Sequence, residues 1–103
     1  MNMMCEVYDL MLKLTSNNRF NLNAEYKISE YFKMENIYTV HNLKLNIEKN
    51  ILIFLDCDEL ILFNRRAIAG IGIDAIKEIN TCKNIVEITF LDNNNKIIIE
   101  FIK

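Results

Sequence analysis

The sequence predicts an α+β fold, with one or two N-terminal helices packed on a mainly antiparallel sheet of about five strands and a short helix near 74–80. Three observations predict it. The first 15 residues place apolar side chains at helical spacing, and most of the chain after residue 37 alternates with period two. Of 103 residues, 51% are hydrophobic and 25% charged, so burial can offset the ordering entropy of a folded chain. That length fits one domain over residues 1–103.

Residues 3–15 read as the first helix. Met4, Val7, Tyr8, Met11 and Leu14 follow i, i+3, i+4, i+7 spacing, and Leu10 and Leu12 lie off that stripe. Glu6, Asp9 and Lys13 alone mark a polar side, so the helix is apolar around most of its circumference and meets a core, a partner or both. Thr15-Ser16-Asn17-Asn18 is the expected stop. Residues 20–35 carry two patterns. Phe20, Leu22, Ala24, Tyr26 and Ile28 alternate with polar residues as in a strand, while Ala24, Ile28, Tyr31 and Phe32 sit at helical spacing behind Asn23 as a cap. Good helix formers weigh toward a helix over 24–34.

From residue 37 the chain reads as sheet. A strand ends on alternating Leu43, Leu45 and Ile47, Glu48-Lys49-Asn50 turns, and the apolar run 51–55 is expected to be covered on both faces. Asp56-Cys57-Asp58-Glu59 turns again before a strand from Leu60 that extends to Ile68. Gly70 to Gly72 break the pattern, and Asp74 is placed to cap a short helix over 75–80 with Ile76 and Ile79 inward. Residues 81–84 form a loop. Val86, Ile88 and Phe90 alternate, Asp92-Asn93-Asn94-Asn95 makes a hairpin turn, and 96–102 form the last strand, whose apolar character makes an unpaired edge costly. With 15 Asn, 17 Ile, two Gly and no Pro, Asn and Asp must supply the turns. This bias fits the AT-rich genome of a low-GC bacterium or one of its mobile elements.

Charge and cysteines narrow the classes. The net charge of −2 comes with dispersed basic residues, and only Arg65 and Arg66 are adjacent. A nucleic-acid partner is therefore not expected, because backbone binding needs a clustered basic face. No apolar run approaches the roughly 20 residues of a membrane helix, and no membrane partner is expected. Cys5, Cys57 and Cys82 lack zinc or disulfide spacing and read as reduced thiols. The acid-bearing start, without a basic n-region, points to a cytoplasmic protein.

No set of residues assembles a catalytic constellation. Gly70-Ile71-Gly72-Ile73-Asp74-Ala75 matches a dinucleotide fingerprint in letters only, since Asp74 would set a negative charge where a phosphate belongs. A tight connection is the better reading. Asp56, Asp58 and Glu59 read as a solvated acidic turn, able at most to dock a basic partner. Cys57 lies between two acids that oppose a thiolate, His41 is the only histidine, and Ser16 and Ser29 are the only serines. Arg65 and Arg66, on one strand, point to opposite faces. No catalytic residue, cofactor or metal site is expected.

The expected function is that of a small non-enzymatic protein-interaction or regulatory module that self-associates, most simply as a homodimer, or docks a protein partner. The residues assigned to that contact are Met4, Val7, Tyr8 and Met11 on the helix and Asp56, Asp58 and Glu59 on the acidic turn. Two alternatives stand beside it. One is a phage- or plasmid-borne inhibitor of a host protein such as a defence nuclease. The other is a small sheet that stacks nucleic-acid bases on Tyr38, Phe54, Phe63 and Phe90. The common premise is that apolar surface exceeds what one copy can hide.

Overall fold

The computed structural model describes residues 2–20, 24–32, 34–56, 66–92 and 95–102. One N-terminal helix, α1 (Met3–Phe20), precedes eight strands, β1 (Glu25–Tyr31), β2 (Glu35–His41), β3 (Lys44–Glu48), β4 (Ile51–Asp56), β5 (Arg66–Gly72), β6 (Ile76–Cys82), β7 (Ile85–Phe90) and β8 (Lys96–Phe101). They form a five-stranded sheet in the order β2-β1-β8-β7-β6 and a three-stranded sheet in the order β3-β4-β5. Every pairing is antiparallel, and every paired neighbour is consecutive in the chain except β8 with β1. The α+β class is thus as expected, with a second sheet added.

Both sheets and the helix feed one core. Alternation sends Tyr26 and Ile28 of β1, Val86 and Ile88 of β7, and Ile97 and Ile99 of β8 inward from the larger sheet. Leu45, Leu52 and Phe54 come from the smaller one, and Val7, Leu10 and Leu14 from α1. The helix packs against β3 and β6, which belong to different sheets. Its first turn is capped by Asn2, whose side-chain oxygen accepts from the Met4 amide at 2.9 Å, satisfying one of the donors a helix start leaves free.

The helix runs past the expected stop at 15–18, because Asn18 is used in tertiary structure. Its amide donates to the Leu43 carbonyl at 2.8 Å, and its carbonyl accepts from the Tyr26 hydroxyl at 2.7 Å. One side chain therefore ties the helix to the β2–β3 corner and to the centre of the sheet. That corner is Asn42, at φ 51°, a conformation Asn tolerates better than most residues. It splits the strand expected over 37–47.

Two helices read from the sequence are strands. Within the region 24–34, Glu25–Tyr31 is β1, paired along its length with β2 and over most of it with β8, and its period-two pattern prevails over its helix formers because it is buried between two strands. In the region 75–80, Ala75 ends a single 3-10 turn, Ile73–Ala75, and the rest lies in β6. A bulge between Ile76 and Glu78 leaves Lys77 without a cross-strand partner. The added residue brings Ile76 and Ile79 to the same face at a spacing of three, which imitates a helix.

Gly70 and Gly72 are likewise inside a strand, opposite Ile53 and Ile51. A Cβ at Gly70 would sit 3.6 Å from an Ile51 methyl, an ordinary contact, and one at Gly72 would meet nothing. The expected close approach of backbones is absent there. The run 51–55 is fully covered on one face and partly on the other: Leu52 and Phe54 are buried, Ile53 and Leu55 half-buried, and Ile51 exposed. The strand expected over Leu60–Ile68 lies mostly outside the described residues.

Two hairpins share a device. Lys49-Asn50 joins β3 to β4 and Lys83-Asn84 joins β6 to β7, and each lysine has a left-handed φ, 57° and 53°. Each asparagine then clips to a distant element. The Asn50 carbonyl accepts from the Ile73 amide at 2.9 Å, and its side chain donates to Asp74 at 2.6 Å. The Asn84 carbonyl accepts from the Phe101 amide at 2.8 Å, and its side chain donates to the Phe101 carbonyl at 3.0 Å.

Candidate interaction surface

The helix divides the residues assigned to a partner. Val7 is fully buried in the core, and Met4 and Met11 are half-buried against it, so Val7 is excluded as a contact residue. The stripe facing inward is Val7, Leu10 and Leu14, which keeps Val7 and Leu14 of the stripe read in the sequence and takes Leu10 in place of Tyr8. Tyr8 stays out, at 53% exposure. So does Leu12, at 69%, one turn further along the same face. These two apolar side chains stand among exposed Cys5, Asp9, Thr15 and Ser16.

A second exposed apolar group lies at one end of the larger sheet. Phe32 follows β1 and stacks at a tilt on Phe90, their ring centroids 5.7 Å apart. Leu91, next in the chain after Phe90, is 64% exposed, and Met34, in the β1–β2 turn, is 73% exposed. Leu91 is held there by its amide, which donates to the Ala75 carbonyl at 2.9 Å. Sequence periodicity missed this group because it belongs to turns, and turns come together only through strand register.

The last strand does not supply an open edge. β8 lies between β1 and β7, and its Ile97 and Ile99 are buried. The edges of the larger sheet are β2 and β6. β6 carries Lys77 on its bulge, two features that discourage pairing with another chain. β2 has neither. It pairs with β1 over Glu35–His41 without a register shift and contains no Lys, Arg, Pro or Gly. Its Ile37 points to the outer face and is 54% exposed.

The remaining candidates separate. Asp56 ends β4 and Arg66 begins β5. Asp58, Glu59, Phe63, Arg65 and Cys57 lie outside the described residues, as does the acidic turn as a unit. His41 ends β2, with Nε2 4.0 Å from a carboxylate oxygen of Glu25 directly opposite on β1. Cys5 and Cys82 are free and exposed. Ser16 is exposed and Ser29 buried, with His41 on neither strand nor helix of the two serines. Among the described residues no three His, Cys, Asp or Glu side chains gather as a metal site. Of the aromatics proposed for base stacking, Phe54 and Phe90 are buried in the core, which removes them as a platform.

Two tyrosines have altered chemistry. Burial pushes the Tyr26 phenol up from its usual range. Tyr38, half-buried on β2, is also raised, first by burial and then by the hydrogen bond its hydroxyl donates to the Glu30 carboxylate. Both are neutral structural phenols. Beside Tyr26, a cleft of about 170 Å³ opens between α1 and the sheet, floored by Leu14, Val86, Ile99 and Phe101. It falls below the roughly 300–1,000 Å³ of ordinary small-molecule sites.

No described helix is long and apolar enough to cross a membrane. Comparison with known proteins found no matching family model, no matching curated protein and no matching solved structure.

Proposed function

We propose that the chain is a small non-enzymatic protein-interaction module that self-associates or docks a protein partner. The observation that carries this reading is the exposed apolar surface: Tyr8 with Leu12 on the outer face of α1, and Phe32, Met34 and Leu91 at the end of the larger sheet. Single exposed apolar residues are ordinary, but neighbouring ones mark contact surfaces. The core is already filled from both sheets and the helix, so these side chains have no intramolecular place to go. The free thiols of Cys5 and Cys82 support a reducing, cytoplasmic setting.

Light scattering over a concentration series, with a pull-down from the native host, tests the reading. The wild type is expected to form a complex with itself or with one captured protein. One of three changes to exposed apolar residues, Tyr8→Glu with Leu12→Glu, Phe32→Ser with Leu91→Ser, or Ile37→Lys on β2, is expected to abolish it while leaving the circular dichroism unchanged. A strictly monomeric chain whose captured proteins are all retained by all three variants would overturn it.

A further inference from the structure

Resting on the interaction reading, we propose that the partner is a second copy of this chain, joined through β2. The two β2 strands pair antiparallel about a two-fold axis at Tyr38, and one sheet runs through both copies.

The open edge is the first ground. In a sheet edge every second residue turns its N–H and C=O outward, and an exposed edge of this kind is a template for another strand. β2 is seven residues long, and its outer edge makes no backbone hydrogen bond to any other described residue. Its inner face is anchored by buried Val40 and by the Tyr38–Glu30 hydrogen bond. The strand is therefore held straight while its edge stays free. The opposite edge, β6, is blunted by its bulge and Lys77.

Self-complementarity is the second ground, and it selects the occupant. A two-fold axis perpendicular to the sheet keeps outer-face residues opposite outer-face residues, so the axis must pass through a residue position. Only an axis at Tyr38 overlaps the whole of β2. In that register Glu35 of each copy faces His41 of the other, a carboxylate opposite an imidazole N–H donor, and this pair occurs twice. Ile37 faces Thr39, also twice, a pairing of β-branched side chains suited to a pleated surface. The exposed Ile37 would gain the partner's Thr39 side chain beside it on the outer face. The reverse pairing of like charges, which would oppose association, does not arise anywhere along the strand.

Sedimentation equilibrium on the whole chain, from micromolar to millimolar, tests this. A dimer is expected, with amide exchange along β2 slowing as concentration rises. Ile37→Lys puts a charge on the shared face and is expected to weaken the dimer by about tenfold or more, with unchanged circular dichroism. Tyr8→Glu with Leu12→Glu is expected to leave the dimer intact. If Ile37→Lys fails to fold, Glu35→Lys, at the exposed start of the strand, replaces it and is expected to weaken the dimer in the same direction. A monomer at every concentration overturns the proposal, although a heterologous partner would then still satisfy the interaction reading. A dimer lost on the helix substitution and kept on both β2 substitutions also overturns it, and assigns self-association to α1.

Discussion

β1 and β2 are neighbouring strands of equal length, each with one isoleucine and at least one tyrosine, and their side chains fare differently. On β1, Tyr26 and Ile28 are buried, whereas on β2, Ile37 is open and Tyr38 is half-covered. Their sequences, Glu-Tyr-Lys-Ile-Ser-Glu-Tyr and Glu-Asn-Ile-Tyr-Thr-Val-His, have similar strand propensity. Facing and position in the sheet make the difference: Tyr26 and Ile28 point into the core, Ile37 points to the outer face, and Tyr38 shares the inner face but sits on the edge strand. β1 has strands on both sides and α1 close by through the Asn18–Tyr26 bond, and β2 has a neighbour on one side only. Propensity makes a strand, and topology decides whether the strand stabilises the fold or faces a partner.

The sharpest way to break that comparison is to truncate the same residue type on each strand. Ile28→Ala removes a side chain from the centre of the core and is expected to cost about 2–5 kcal/mol, since the site cannot fully collapse. Ile37→Ala should cost about 0.5 kcal/mol or less in the monomer, as surface substitutions do. Urea unfolding at low protein concentration measures both. Equal losses would mean that Ile37 is packed as tightly as Ile28 and that the outer face of β2 is not open.

The tyrosines sharpen it next. Tyr26→Phe removes the hydrogen bond to Asn18 that joins helix and sheet and should cost about 1 kcal/mol. Tyr38→Phe loses a bond to a more exposed partner and should cost less. Both phenols are raised in the fold. Their contribution is thus fully present below about pH 10, where the unfolded phenol is still protonated. As pH rises beyond that, the unfolded chain releases its proton first and binds fewer than the folded chain, so stability falls. Unfolding midpoints compared at pH 9 and pH 11 are expected to drop less in either Phe variant than in the wild type. An identical drop in all three would place both phenols in water.

The same contrast explains what was legible beforehand. The alternation in 43–47, 86–90 and 96–101 was readable because those strands carry an inward apolar row over several residues. The 24–34 region was readable as strand by its alternation, but its helix formers pointed the other way, and only pairing on both sides decides such a conflict. The 75–80 region was misread because a bulge gave Ile76 and Ile79 a spacing of three, and a bulge has no signature in a single sequence. On the helix, the apolar girdle was visible, yet the choice of Leu10 over Tyr8 as inward depends on which way the sheets approach. Of the exposed group, Phe32 fitted only the helical spacing that the fold discards, and Met34 and Leu91 had no local pattern.

The smallest effect concerns how the interior strands are pinned at their ends. Lys83 sits at φ 53° so that Asn84 can reach Phe101 at the end of β8 from two directions. A left-handed non-glycine residue costs roughly 1–2 kcal/mol. Lys83→Gly removes that strain but adds roughly 0.4–1 kcal/mol of unfolded-chain freedom, so a net gain of about 0.5–1 kcal/mol in stability is expected by urea unfolding. Lys49→Gly should behave alike, because its turn has the same Lys-Asn sequence and the same conformation. Neither change touches β2, so neither should alter dimerisation. Sedimentation that shifts along with stability in these variants would show that the edge and the pinned strands are not independent, and the contrast between β1 and β2 would then have to be drawn at the level of the whole sheet.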